Sequence, residues 1–457
     1  MKLWSFIKEH MLKNPGQRIC ENSVSLSFEK TVIWAEGFAK RLNGVECCAI
    51  LCSSEMAAAM SLLACFAAGV TAVPISMRYG EAHCNKILET ISPDAIITDT
   101  NGELTVYMLK DRRYIAPEEH PALIMCTSGT TGKPKGVMLS EKNILTNVSD
   151  ITDYFTMDMN DTILIARPLY HCAVLTGEFL TAIVRGANIR FYSEQFNPTM
   201  ILELIKEYDI TAFCGTPTLL SIMVKFNRSN ATATLRHICI SGECMGIEVG
   251  RKIRASFPAC KIYHIYGLTE ACPRVSYLPP EHFEDYPDCV GIPLKSVLIK
   301  ILNEQGELCR TNEEGILYVK GDNVMLGYYR EPEKTSNVLK NGWLCTGDVA
   351  VINDVGFLKI KGRNDDLIIK SGMNVYPAEI EEAIKQDPRV KEVIVYGFHN
   401  SFGTQIGMKL VGEFSSTEEV KHLCMKVLPS FQVPSVIELI DELPKNGSGK
   451  IIRRKML

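Results

Sequence analysis

Apolar and polar positions repeat along this chain with two periods, and the switches between them mark out its elements. Leu3, Trp4, Ile7 and Met11 recur at helical spacing, interleaved with Lys8 and Glu9. From Arg18 to Phe28 a hairpin-like stretch leads into a helix carrying Trp34, Phe38 and Leu42, and Cys47 to Cys52 reads as a buried strand. Met56 to Ile75 is twenty residues without a charge, which is the length of a membrane-spanning helix. Seven of the twenty are alanine, however, and Gly69 and Pro74 interrupt the run, so the pattern predicts a buried helix turning into a strand over Thr71 to Ile75. Ala95 to Thr98 is a further short strand. Ala122 to Cys126 reads as another, ahead of a helix that starts at Ser140. Strand and helix in alternation predict α/β layers with mostly parallel sheets.

After about residue 290 the texture becomes β-rich. Val297 to Leu302, Gly315 to Lys320 and Val349 to Ile360 are strand-like, separated by Gly/Asn/Asp turns. Gly362-Arg363-Asn364-Asp365-Asp366 is a polar, glycine-led break. Beyond it lies a small α/β unit with its own strands, Val390 to Val395 and Gly407 to Val411. The expected organisation is a large N-terminal domain over residues 1–364, of α/β subdomains plus a β-rich subdomain. A small C-terminal α+β domain follows over residues 365–457.

Composition narrows the class. A chain of 457 residues is long enough for two or three domains with large cores. With 46% hydrophobic residues and a net charge of −4, bulk charge points to neither nucleic acid nor an anionic membrane as a partner. Seventeen cysteines, none in a Cys-x-x-Cys pair and many in apolar runs, read as buried reduced thiols of a cytoplasmic protein.

The chemistry concentrates in a few strings. Thr127-Ser128-Gly129-Thr130-Thr131-Gly132-Lys133-Pro134-Lys135-Gly136-Val137 packs four hydroxyls, three glycines and two lysines into eleven residues. Glycines let the backbone approach closely, hydroxyls and N–H groups donate to phosphate oxygens, and lysine adds charge. The spacing is not that of the common NTPase P-loop. Tyr266-Gly267-Leu268-Thr269-Glu270 follows the strand-like Ile262 to Ile265 and offers a flat ring, a hydroxyl and a hard carboxylate oxygen. Gly342-Trp343-Leu344-Cys345-Thr346-Gly347-Asp348 presents an acid after glycine, and Pro444-Lys445-Asn446-Gly447-Ser448-Gly449-Lys450 places a lysine near the C-terminus.

Taken in order, these strings resemble the signatures of the adenylate-forming enzymes, which comprise acyl- and aryl-CoA synthetases, nonribosomal peptide adenylation domains and luciferase. The resemblance covers almost the whole chain. It implies that ATP phosphates meet Thr127, Ser128, Gly129, Thr130, Thr131 and Lys135. Tyr266 would stack on adenine, with Gly242, Glu243, His264 and Gly267 around that pocket. Thr269 would meet the α-phosphate, Glu270 would hold Mg²⁺, Asp348 would take both ribose hydroxyls, and Arg363 would contact ribose and phosphate. Lys450 would be the catalytic lysine, reaching the carboxylate and phosphate groups that the reaction brings together. Asp365 fits the pivot about which the C-terminal domain rotates. Ser371 and Gly372 fit the loop brought in for a thiol step.

Such an enzyme joins a carboxylic acid to ATP, releases pyrophosphate, and transfers the acyl group to a thiol with release of AMP. Ser371 leaves the thiol open between CoA and the phosphopantetheine arm of an acyl or peptidyl carrier protein. Pro168-Leu169-Tyr170-His171 resembles the substrate-gating segment of acyl- and aryl-CoA ligases, which gives His171 a role beside the acid. No Asp lies between Pro168 and Gly186, only Glu178, which disfavours an α-amino acid. Ile265 stands where many ligases have glycine, predicting a short pocket and a small or medium acid. Cys172, Cys214 and Cys272 are expected near that pocket as small apolar residues.

Overall fold

The alternation of strand and helix read from the sequence is present in the computed structural model. It describes the chain apart from residues 1, 78–79, 101, 110–113, 129–133, 195, 228–231, 371–372, 401–402 and 446–457. The chain divides into two units, Met1–Lys300 with Tyr318–Thr346, and Ile301–Leu317 with Gly347–Leu457.

The first unit holds two large mixed sheets. One has nine strands in the order Ile292–Pro293, Arg274–Leu278, Lys261–Gly267, His237–Ser241, Ala212–Gly215, Thr162–Ile165, Asn188–Phe191, Arg18–Glu21 and Val24–Ser27. Its interior pairs are parallel and its edges antiparallel. The other has seven strands, with Leu123–Ser128, Thr71–Pro74, Cys47–Leu51 and Ala95–Thr100 parallel at its centre. Parallel strands covered on both faces read as unbroken apolar runs, which is why Cys47 to Ile50 lacks alternation and is wholly buried.

The uncharged run resolves as a helix, Glu55–Ala68, with Ser54 as its N-cap and Gly69 closing it at φ +70° before the strand Thr71–Pro74. Among the described residues, no helix is long and apolar enough to cross a membrane. The expected helix after Ser140 is Glu141–Tyr154, opened by a reciprocal cap between Ser140 and Asn143. The Asn143 amide also donates 2.8 Å bonds to the carbonyls of Asp322 and Val324, which fixes the chain just ahead of Gly327–Tyr328.

One reading needs correction. Val349 to Ile360 is not a single strand-like run but a hairpin between Trp343–Ile352 and Leu358–Arg363. The Asn353 side chain accepts from the N–H groups of Val355 and Phe357, and Gly356 turns the chain at φ +83°. Apolar Val355 and Phe357 within the turn masked that break.

In the second unit, Val390–Asn400, Gly403–Gly412 and Val436–Leu439 form a three-stranded sheet. Helices Pro377–Ile384 and Thr417–Val427 cover it through Ile380, Ile384 and Val420, which pack with Val393, Val395, Met408 and Leu410.

Candidate active site

Strands Leu123–Ser128 and Pro134–Leu139 pair antiparallel with Thr127 opposite Lys135 and Ser128 opposite Pro134. Thr127–Ser128 and Pro134–Val137, the two ends of the phosphate-type string, therefore lie on paired strands. Gly129, Thr130 and Thr131 lie outside the described residues, as do Ser371, Gly372 and Lys450.

Lys135 extends over the ring of Tyr328, its Nζ 5.1 Å from the centroid. The Tyr328 hydroxyl in turn donates to Glu270 Oε1 at 2.8 Å. Backbone and side chain stitch these segments together. The Met325 N–H donates to the Glu270 carbonyl at 2.9 Å, and the Asn323 amide donates to the Ala271 carbonyl at 2.8 Å. A lysine, a tyrosine hydroxyl and a carboxylate from three separate stretches thus form one continuous polar row. The sequence singles out Lys135 and Glu270 but not Tyr328, whose only local signal is an aromatic pair after Gly327.

Glu270 follows a strand that must bend sharply. Gly267 is required there, because a Cβ would meet the Pro273 carbonyl oxygen at 2.1 Å. Cys272 sits at φ +61°, a left-handed conformation uncommon outside glycine. Along Lys261–Gly267, His264 and Tyr266 alternate with Tyr263 and Ile265, so Tyr266, expected to meet adenine, and Ile265, expected to line the acid pocket, belong to opposite faces. His264 is buried, with Nδ1 3.0 Å from the Pro287 carbonyl. Burial pulls its pKa down to about 4, so the ring is neutral and braces the strand.

Gly242 turns the chain at φ +96° just past strand His237–Ser241. Glu243 is exposed and takes the Thr218 N–H and hydroxyl at 3.2 and 2.7 Å, near the start of helix Pro217–Phe226.

His171 is half-buried and its ring lies 4.3 Å from that of Tyr170. It precedes Cys172–Val174, after which the helix widens into a π-helical stretch, Leu175–Leu180. Such stretches often accompany functional sites. The Thr176 hydroxyl lies within 3.0 and 3.2 Å of the carbonyls of Cys172 and Cys272, which brings these two stretches of backbone together. Both cysteines are buried, and burial pushes the Cys272 thiol well above its usual range, which fits a packing role.

Behind this helix lies a buried charged cluster that sequence reading did not anticipate beyond noting Glu178. Arg167 Nη2 donates to Glu178 Oε1 at 2.5 Å, and Arg274 donates to the Tyr154 hydroxyl at 2.6 Å and the Gly177 carbonyl at 2.7 Å. Burial raises the Glu178 carboxyl above the usual range, and Arg167 partly offsets that rise.

The second unit holds a polar pair of its own. Asp348 and Arg363 face each other across adjacent strands, with Arg363 Nη1 donating to Asp348 Oδ1 at 3.1 Å. Asp348 is buried and Arg363 exposed. Asp365 is exposed in the short turn Asn364–Asp366.

The donor set suits a magnesium nucleotide. Among the described residues no group of three His, Cys, Asp or Glu side chains could cage a metal. Magnesium, however, is held by one or two carboxylates when phosphates supply further oxygens, and Glu270 beside Lys135 and Tyr328 matches that need.

Comparison with known proteins identifies the family. The AMP-binding enzyme family matches residues 7–329, and the AMP-binding enzyme C-terminal domain matches residues 379–450. The chain is 34% identical over 357 residues to the long-chain-fatty-acid–CoA ligase of Escherichia coli O6:H1, covering 75% of this chain and 63% of that protein. It is 29% identical over 419 residues to feruloyl-CoA synthase of Amycolatopsis sp, covering 86% and 84%. It matches the structure of O-succinylbenzoate coenzyme A synthetase from Bacillus subtilis in complex with ATP and magnesium ion. That match has a TM-score of 0.86 and 27% identity over 98% of both chains. The chain thus spans about 63% of the length of the fatty-acid ligase. With two family domains in order and the fold shared end to end, the chain belongs to the AMP-binding enzyme family.

Proposed function

We propose that this protein is an AMP-forming acid–thiol ligase that activates a small or medium carboxylic acid with ATP. The observation that carries the reading is the row Lys135–Tyr328–Glu270. It brings a cation, a hydroxyl and a carboxylate together next to the strands that carry the two ends of the phosphate-type string.

In the first half-reaction a carboxylate oxygen of the acid attacks the α-phosphorus of ATP. The bond from that phosphorus to the bridging oxygen breaks, pyrophosphate leaves, and an acyl-adenylate forms. In the second, a thiol attacks the acyl carbon and AMP leaves, giving a thioester. Thr127, Ser128, Gly129, Thr130, Thr131 and Lys135 would orient the phosphates, Tyr266 the adenine, Thr269 the α-phosphate, and Asp348 and Arg363 the ribose. Magnesium bound at Glu270 would neutralise charge on the phosphate oxygens. Lys450 would offset the negative charge that gathers as carboxylate and phosphate meet. One arrangement cannot present both Lys450 and the thiol loop at Ser371 and Gly372, so rotation about Asp365 would exchange them.

The three relatives differ in their acid and share CoA in their names, which supports CoA as the thiol acceptor here. A carrier-protein arm is the competing acceptor, and thioester formation with CoA against a purified carrier separates the two. Seventeen cysteines with no disulfide among the described residues support a reducing, cytoplasmic setting.

Ile265, buried on the strand leading to Tyr266, would limit the acid's length. Ile265→Gly is expected to extend the accepted chain. An unchanged length profile would remove the pocket argument. The reading as a whole is tested by ATP–pyrophosphate exchange across a panel of acids, followed by nucleotide analysis with CoA. AMP and pyrophosphate are expected, and ADP with orthophosphate would overturn it.

A further inference from the structure

We infer that Arg167 and Glu178 recognise a hydroxyl group on the far end of the acid, making them specificity residues of the acid pocket. This rests on the reading above that the acid lies beside Ile265 and His171.

Strand register places the pair there. Ile265 is the lateral partner of Ser241 on the adjacent parallel strand, at the C-terminal ends of both, where open α/β sheets bind ligands. Arg167, just past the end of strand Thr162–Ile165, donates through Nη1 to Ser241 Oγ at 3.4 Å and through Nη2 to Glu178 Oε1 at 2.5 Å. Glu178 is wholly buried in the π-helical stretch that follows His171 and Cys172. The pair therefore links Ser241, the lateral neighbour of Ile265, to the stretch that follows His171.

Its hydrogen bonding is incomplete. Guanidinium and carboxylate meet at one corner only, and both Arg167 Nε and Glu178 Oε2 are buried without a partner. Buried polar atoms of a charged pair are costly to leave unmet. The neighbouring guanidinium of Arg274 is engaged by Tyr154 and Gly177, so it answers neither atom. The two open positions have opposite demands, since Nε–H requires an acceptor and Oε2 requires a donor. A hydroxyl supplies both at once. A second carboxylate would satisfy Nε–H but face Oε2 with like charge, and an alkyl end would satisfy neither.

The test compares acids matched in carbon frame, namely 3-phenylpropanoate with its 4-hydroxy form, and straight-chain acids with their ω-hydroxy and ω-carboxy forms. ATP–pyrophosphate exchange gives kcat/KM for each. The hydroxy member of at least one frame is expected to be preferred by about tenfold or more, as for sites built to hydrogen-bond a substrate hydroxyl. The ratio should collapse toward one in Arg167→Met/Glu178→Leu, an apolar replacement of the sort that buried ion pairs tolerate. Glu178→Gln serves if the double variant does not fold, and should also lower the ratio. Equal kcat/KM within every wild-type pair, a preference for the ω-carboxy forms, or a ratio that survives the double variant would overturn the inference. Affinities of paired acyl-sulfamoyl adenosines, with and without the hydroxyl, read the same preference without turnover. If no acid supports exchange, the ligase reading fails, while the affinity ratio still decides the role of Arg167 and Glu178.

Discussion

Two carboxylates, one in each unit, are held in opposite ways. Glu270 in the first unit accepts from a neutral hydroxyl, that of Tyr328 at 2.8 Å. Asp348 in the second accepts from a guanidinium, that of Arg363 at 3.1 Å. A neutral donor orients a carboxylate and leaves its charge in place for an incoming cation. A guanidinium neutralises the charge and turns the carboxylate into an acceptor for neutral donors, although the Arg363 side chain is 53% exposed and the surface part of that bond is weak. The difference fits the proposed division of labour, with metal at Glu270 and ribose hydroxyls at Asp348.

The strongest way to break this comparison is Glu270→Gln. The amide keeps the size of the side chain and loses its charge, so kcat/KM in pyrophosphate exchange should fall by about 10²–10³, the size typical of removing an aimed electrostatic group. The loss should deepen at low magnesium. A tenfold or smaller loss, independent of magnesium, would take the metal away from Glu270. Asp348→Asn comes next. An amide oxygen still accepts from a hydroxyl, but without the added strength of an ionised acceptor, so KM for ATP should rise about tenfold with little change in kcat. A collapse of kcat with KM unchanged would give Asp348 a different task.

Acid separates the units by stability. His264 is buried neutral on the strand that leads to Glu270, with its pKa lowered by burial to about 4 from an ordinary 6.5. A histidine depressed in the folded state favours folding fully above pH 6.5. That contribution is lost as pH falls toward 4, at up to about 1.4 kcal/mol per pH unit. In the second unit, Asp387 is lowered to about 2 by hydrogen bonds from Arg389, so its contribution persists until pH falls below 3.8 toward 2. All three tryptophans, Trp4, Trp34 and Trp343, lie in the first unit. Tryptophan fluorescence melts should therefore lose stability between pH 6.5 and 4, and His264→Gln should flatten that slope. An unaltered slope in the variant would assign the acid sensitivity elsewhere.

Much of this architecture was legible because its signals are local. The apolar run Ala122 to Cys126 and the helix start at Ser140 each rest on a few neighbouring residues, and each yields the expected element. What stayed hidden depends on register between distant strands. Tyr328 reaches Glu270 across 58 residues of sequence, and Arg274 reaches Gly177 across 97. No periodicity records such meetings. The cluster of Arg167, Glu178 and Arg274 was obscured for a second reason, since isolated charges near strand ends ordinarily read as solvated turns. Burial alone distinguishes them, and burial is a property of the assembled sheet.

Tyr328→Phe is the smallest change and the sharpest. It removes one oxygen, leaves the ring beneath Lys135 and keeps the charge of Glu270. If the hydroxyl only orients the carboxylate, its loss should cost about 0.5–1.5 kcal/mol, or roughly two- to tenfold in kcat/KM. The cost should appear chiefly as a weaker apparent affinity for magnesium, with kcat largely recovered at saturation. The phenyl ring also keeps the cation–π contact, so the proposed contact of Lys135 with nucleotide phosphate, read as the KM for ATP at saturating magnesium, should be unaffected. A Tyr328→Phe loss as deep as that of Glu270→Gln would mean that the hydroxyl touches the reacting groups itself. The contrast between a neutrally held and a cation-held carboxylate would then describe packing and not chemistry.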